Sequence, residues 1–423
     1  MLIALRQRNF RLLWIGLLVS FSGTFMQSAA VLWHVSVLVP AERRAIALGL
    51  VGLVRIVPVI LFSLISGVAA DAFDRRKLML VTQTIMAILA MLTFRGLTVV
   101  WPIYLLTAVS AAAGAFDLPA RQALTPNLVP REHLPNAITL NSMMLQTASV
   151  TGPAVGGLVL AARGVGWVYA INAVSFAFVI GALLAMDPPR SDETDPADRG
   201  NFTVSAALEG LEFVFRAPLI RSTMLLDFFA TFFSSATALL PIFAQDILHV
   251  GARGYGWLYA APAAGALLTS AIMVRVVDWI ERRGEVLIGA VAIYGLATVA
   301  FGFSRVFWFS FLCLAATGAA DTVSTTFRNL IRQLETPDRL RGRMIGVNMV
   351  FFIGGPQLGE LEAGLVANWL GAVVSVVTGG FGCVVATAAI AGVTPALRAY
   401  RRQEMPEIPE EDDRTEGRAG EPA

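Results

Sequence analysis

Charge is scarce in this chain. Asp, Glu, Lys and Arg together make up 15% of its 423 residues, where an ordinary soluble domain carries about 25%. The chain is 56% hydrophobic, and a water-facing globule of this size has too little interior to hide such an excess. The bilayer is its natural solvent. Cysteine is nearly missing: Cys313 and Cys383 both lie in apolar runs and read as small core hydrophobes, which excludes a disulfide framework. The three histidines, His34, His133 and His249, are scattered at segment ends, so no metal site is expected. A nucleotide-binding loop of the form G-x-x-x-x-G-K followed by Ser or Thr is absent, which speaks against ATP-driven work. No cleavable signal peptide is expected, because the short basic segment Met1 to Arg11 leads straight into a long apolar run. No enzymatic activity, cofactor or nucleic-acid partner is expected.

What is present is a series of long apolar runs. A spanning helix needs about 20 mostly apolar residues. Twelve such runs are expected, at roughly 11–35, 46–70, 77–95, 99–120, 136–162, 166–186, 220–247, 254–277, 285–303, 306–330, 343–366 and 370–392. The chain therefore reads as an all-α membrane protein with 12 transmembrane helices. Residues 187–202 are polar and rich in Pro and Asp, and residues 398–423 are charged with few apolar side chains. The first reads as part of a cytoplasmic linker over 187–215, the second as a disordered cytoplasmic tail. The linker separates a bundle at 1–186 from a bundle at 216–397. Of the 32 Lys and Arg residues, Arg43, Arg44, Arg95, Arg163, Arg253 and Arg305 fall on one side and Arg55 falls within the membrane. The others share the side of the two termini, so the termini are expected in the cytoplasm.

The polar landmarks repeat at a constant offset of 207 residues. Asp71, Arg75 and Arg76 map to Asp278, Arg282 and Arg283; Arg121 maps to Arg328 and Pro130 to Pro337. Asn141 maps to Asn348, Gly152 to Gly359 and Gly157 to Gly364. Chance rarely keeps one register over three separate segments. Two parallel six-helix halves, related by an axis along the membrane normal, are one plan of secondary transporters. In this register Pro153 aligns with Glu360.

The segment from Gly67 through Asp71, Asp74, Arg75 and Arg76 to Lys77 resembles the signature loop between helices 2 and 3 of the major facilitator superfamily, with Asp74 where a glycine is usual. Gly152-Pro153-Ala154-Val155-Gly156-Gly157 resembles the antiporter motif of helix 5 in exporters of that superfamily, with Ala148 at its usual leading glycine. The strings Pro119 to Ala123, Leu134 to Ala137 and Gln357 to Gly364 resemble its drug and siderophore exporter branch, which includes enterobactin exporters and macrolide efflux pumps. The resemblance implies the major facilitator fold, a bacterial inner-membrane location and secondary active export by antiport, with antibiotic resistance or siderophore export as possible roles. It also implies a cytoplasmic gate built from Gly67, Asp71, Arg75, Arg76, Asp117, Arg121, Asp278, Arg282 and Arg328, in which Asp117 is the expected partner of Arg75.

Charges kept inside a membrane cost several kcal/mol, on the order of 2.5–3.5 on insertion scales, and are usually functional or paired. Glu360 and Glu362 are candidate proton carriers; two residues apart on a helix, they point about 200° from one another. Asp227 is either a second proton or cation site or a local partner of Arg221. Arg55 lies too deep to snorkel and faces a substrate cavity or a carboxylate such as Glu360 or Glu362. Gln146, Asn141 and Asn348 are further cavity candidates, with Phe228, Phe229, Phe232 and Phe233 as an apolar wall. The expected function is proton-coupled export of amphiphilic small molecules by a monomer in the lipid bilayer, with the proton gradient as energy source. A lipid or nutrient importer on the same fold and a non-transporting membrane sensor are the alternatives.

Overall fold

The computed structural model describes residues 3–94, 97–187 and 204–401. Arg95, most of the expected linker and the tail beyond residue 401 lie outside the described residues. The first half comprises α1 (Arg8–Leu38), α2 (Ala41–Ala72), α3 (Arg75–Phe94), α4 (Val100–Leu124), α5 (Leu134–Arg163) and α6 (Val165–Ala185). A short helix α7 (Val204–Arg216) follows. The second half comprises α8 (Pro218–Phe233), the single turn α9 (Leu240–Ile242), α10 (Gly251–Val276), α11 (Arg283–Phe303), α12 (Phe307–Glu335), α13 (Asp338–Leu370), α14 (Ala372–Val393) and the short α15 (Pro395–Arg398). Eleven of the described helical stretches are long and apolar enough to cross a membrane. The twelfth span is α13, which carries Glu360 and Glu362.

Local chemistry explains several ends. Asp74 Oδ1 accepts from the Lys77 backbone N–H at 3.0 Å, so it caps the start of α3. That is the work of the acid at the signature loop's usual glycine. Gly164 and Gly371 stand at φ +83° and +89° between α5 and α6 and between α13 and α14, a backbone region that favours glycine. They are 207 residues apart, so the repeat sets even the turns.

Packing follows the repeat. In the first half α1 lies against α5 and α6, α2 against α4, and α3 against α4 and α6. In the second, α8 lies against α13 and α14, α10 against α12, and α11 against α12 and α14. Shifted by 207, one pattern becomes the other. The halves join where α2 meets α13 and where α5 meets α10, and these two seams are also mates.

One element breaks the symmetry. The mate of the continuous α1 is α8, which ends at Phe233. The chain then proceeds through short helical turns, ending in a π-helical turn at Phe243–Ile247. The single run expected at 220–247 is thus interrupted near its middle.

Two other expected boundaries change. Residues 204–215, assigned to a linker, form most of α7. Its Phe213 and Val214 pack with Ile220, Met224 and Met344, while Leu211 and Phe215 stay exposed. Such a two-faced helix suits the membrane interface. The tail begins later than residue 398, because Tyr400 is buried and its carbonyl accepts the Gly284 N–H at 3.0 Å.

Candidate functional site

The side of the membrane that carries the N-terminus is called here the terminal side, and the opposite one the distal side. The distal ends of the halves are closed together. A methyl placed on Gly157 of α5 would stand 2.6 Å from the Gly256 Cα, and one placed on Gly364 of α13 would stand 2.7 Å from the Gly49 Cα. Only residues without a side chain let two helices approach so closely. Gly49 and Gly256 are themselves 207 residues apart. Around these crossings, Arg44 Nη1 pairs with Asp246 Oδ2 at 2.7 Å, Gln245 Nε2 donates to Ser36 Oγ at 2.7 Å, and Tyr255 donates to the Ala29 carbonyl at 2.8 Å. A buried cluster including Ala29, Ala45, Phe243, Tyr255 and Ala363 spans both halves there. Nearer the terminal side, the cluster around Phe10, Met79 and Leu140 belongs wholly to the first half, and the one around Leu287, Phe327 and Ile331 wholly to the second.

The antiporter-like segment of α5 divides between two neighbours. A methyl on Gly152 would stand 2.5 Å from the Ser22 carbonyl oxygen, and one on Gly156 would stand 2.7 Å from Met26 Cγ, both on α1. Gly157 meets α10, and a methyl on Gly256 would stand 2.7 Å from the Pro153 carbonyl oxygen. Geometrically the motif is a packing device that lets α5 touch α1 and the other half at once.

Below the seal, at mid-membrane, lies a cavity of about 290 Å³. Residues from α1, α2, α3, α4 and α6 line it, and Gln357 of α13 closes it from the other half. Arg55 is its charged lining residue. The guanidinium donates to the Ser28 carbonyl at 3.3 Å. Of the two acids proposed for Arg55, Glu360 is the one that packs on its helix, against Gly52 three residues before it, without forming an ion pair with it. Glu360 is 7% exposed, and its Oε2 has no hydrogen-bond partner. It packs on Gly52 of α2, where a methyl would stand 3.0 Å from Oε2. Glu362 is half-buried and turned away along the same helix.

A second charged cluster sits inside the second half. Arg328, 2% exposed at its side chain, places Nη1 2.9 Å from Asp227 Oδ1 and Nη2 3.2 Å from Asp321 Oδ1. Arg332 Nη2 lies 3.9 Å from Asp227 Oδ2, and its Nη1 donates to Asn348 Oδ1. This corrects three expectations. Asp227 pairs with Arg328 and Arg332 rather than Arg221, which instead donates to the Phe215 carbonyl. Asn348 serves Arg332 and is absent from the lining of the Arg55 cavity, as are Asn141 and Gln146. Arg328 is bound within its own half. Arg332 had no signal in the repeat, since its mate is the neutral Thr125.

The expected gate is only partly assembled. Gly67 and Asp71 lie in the last turns of α2, but their side chains lie outside the described residues. Arg75 does not pair with Asp117. It donates to the Ala123 carbonyl at 3.0 Å, and Arg76 to the Leu184 carbonyl at 3.3 Å. Asp117 is buried and taken by other partners: Arg121 at 3.7 Å, Thr82 at 3.1 Å and Gln83 at 2.9 Å. Arg121 also stacks on Phe21, with its guanidinium 4.4 Å from the ring centre. Arg282 pairs locally with Glu285 at 3.4 Å, and Asp278 lies in the turn after α10. No group of three or more metal-ligating side chains exists among the described residues.

Comparison with known proteins agrees with this architecture. The chain is 27% identical over 360 residues to an enterobactin exporter of Escherichia coli O1:K1, covering 82% of this chain and 83% of that one. It is 27% identical over 358 residues to the enterobactin exporter of Citrobacter koseri, covering 82% of each. Its fold matches a bacterial homologue of the human lysosomal transporter Spinster, with a TM-score of 0.73, 15% identity and coverage of 94% of this chain and 99% of that one. It also matches a bacterial homologue of the iron transporter ferroportin, with a TM-score of 0.67, 17% identity and coverage of 93% and 99%. Residues 1–412 match the transmembrane secretion effector family, and the chain belongs to it, as a multi-pass transporter of the major facilitator fold.

Proposed function

We propose that this protein is a proton-coupled exporter of amphiphilic small molecules in the bacterial inner membrane, with both termini in the cytoplasm. The observation that carries this reading is the position of Glu360. It is a buried carboxylate at the seam between the halves, packed on Gly52 about one helical turn before Arg55, which itself lines a mid-membrane cavity. A charge held at that depth is costly, and its neutralisation changes the cost.

The cycle then runs as follows. With the distal side sealed, substrate enters from the cytoplasm or inner leaflet. A proton arriving from outside neutralises Glu360 when the distal seal is open. The Arg55–Glu360 attraction disappears, and the two halves rock toward the state seen here. Loss of that proton to the cytoplasm restores the attraction and prepares the next turnover. The similarity to enterobactin exporters supports outward transport of a bulky amphiphile, and antiport with protons supplies the energy without a nucleotide. Asp227, already matched with two arginines, is a weaker candidate for the coupling site.

The test is transport in everted membrane vesicles with a fluorescent amphiphilic dye. Uptake that follows an imposed pH gradient and stops when the gradient is collapsed is expected. Uptake indifferent to the gradient would remove proton coupling, and dye movement in the opposite direction would favour an importer.

A further inference from the structure

We infer that the cavity around Arg55 is a chamber for an anionic oxygen head group, so that the substrate is an amphiphile with a carboxylate-like end. This rests on the export reading above and names the substrate class of its site.

The first argument is charge. Arg55 supplies the cavity's positive charge, and no Asp or Glu is among the described residues that line it. A guanidinium offers five N–H donors in a flat fork that fits a planar oxyanion through two parallel bonds. Here the fork serves the Ser28 carbonyl while still bordering open space.

The second argument is the rest of the lining. Gln27, Thr107, Ser110, Asn172 and Gln357 add polar atoms around the same space. Asn172 Nδ2 donates to Gln27 Oε1 at 2.6 Å, which holds both amides in place. Phe176 and Met86 provide an apolar flank for a ring. Few polar groups at fixed positions on an apolar wall are the usual make-up of a small-molecule site.

The third argument comes from the repeat. Gly114 borders the chamber, and a methyl there would meet nothing within 4 Å. Its mate in the second half is Asp321, which reaches Arg328. At this position the second half carries an ion-paired carboxylate, whereas the first half leaves open space beside the chamber. Glu360 of α13 packs on Gly52, three residues before Arg55 on α2, so a bound anion and the Glu360 carboxylate act on one cation.

The test uses a matched pair of probes, salicylate and its neutral amide salicylamide, titrated calorimetrically into the full-length protein in lipid nanodiscs. The wild type is expected to bind salicylate about tenfold more tightly than salicylamide, the size of one charge-assisted hydrogen-bonded contact. Arg55→Gln should remove that preference, and Arg55→Lys should keep part of it. Gly114→Leu, which adds bulk only to open space, should weaken both probes. Glu360→Gln should bind salicylate at least as tightly as the wild type, because it removes the competing carboxylate. Equal affinity of the wild type for the two probes, no binding of either, a preference that survives Arg55→Gln, or affinities left unchanged by Gly114→Leu overturns the chamber. The two readings fail separately. A protein that moves the dye in vesicles but ignores the probe charge keeps export and loses the chamber. One that binds salicylate through Arg55 but moves nothing keeps the chamber and loses export.

Discussion

The α2–α13 and α5–α10 seams are copies of one another, yet they differ in chemistry. Both cross on a pair of glycines, Gly49 with Gly364 and Gly157 with Gly256. Each of the four helices has one internal proline: Pro58, Pro153, Pro262 and Pro356. At the positions that matter most the copies part. Arg55 and Glu360 stand on the α2–α13 seam, and their repeat mates on the other seam are Pro262 and Pro153. One seam therefore holds a pair of opposite charges where the other holds two prolines. The repeat supplied two equivalent seams, and divergence placed the electrostatics on one of them. A charged seam changes its free energy when a proton binds; a neutral one cannot.

The largest expected effect tests whether the other buried charges belong to this comparison at all. Arg328→Met leaves Asp227 and Asp321 without their main partner in a buried site, at a cost of about 3–5 kcal/mol. Thermal unfolding of the purified protein should show a large drop in midpoint and in monodisperse yield. Coupling to pH in any protein that survives should persist, because this cluster lies within one half. Loss of coupling with normal stability would move the coupling site there.

Glu360→Gln and Pro153→Ala form the direct contrast. The first keeps the shape of the charged seam and removes its charge, so dye transport in everted vesicles should lose its dependence on the pH gradient while folded yield is retained. The second changes the neutral seam, and the dependence should remain even if the rate falls. Equal behaviour of the two variants would erase the distinction between the seams.

Gly49→Ala and Gly256→Ala address what the seams share. In each case a methyl meets backbone of the facing helix at 3.0 Å or less. Overpacking of this kind costs roughly 1–3 kcal/mol. Both variants should populate a state with a more open distal face, read as a longer spin-label distance between Arg43→Cys and Arg253→Cys. A shift in only one of them would show that the seams are not mechanically equivalent.

The smallest effect belongs to the rim. Arg44 and Asp246 pair across the halves, but Asp246 is half exposed, and such pairs contribute about 0.2–1 kcal/mol. Asp246→Asn should lengthen the same spin-label distance slightly, and the swap Arg44→Asp with Asp246→Arg should restore it.

Apart from the run at 220–247, the expected spans match the helices to within a few residues, because the length of an apolar run and the thickness of a bilayer are one-dimensional quantities. The 207-residue register is equally legible, and it extends to features without polar landmarks, such as Gly164 with Gly371. The break in α8 was not visible, since its apolar pattern continues through Phe233 to Leu240. The partners of the charges were also hidden. Arg75 was expected to hold Asp117 and instead caps α4 through Ala123. Asp227, open between a proton site and a pairing with its neighbour Arg221, lies against two arginines about a hundred residues away.

The sequence by itself determined the number of spans, their boundaries, the duplication and the presence of costly buried charge, because each follows from composition along a line. Only the tertiary structure decided which buried acid meets which arginine, which glycines form the crossings and where space is left open. Those outcomes depend on the rotation of each helix about its axis and on how closely its neighbours approach. A turn of 100° per residue carries a side chain from a cavity to a seam without altering the hydrophobic pattern that made the helix.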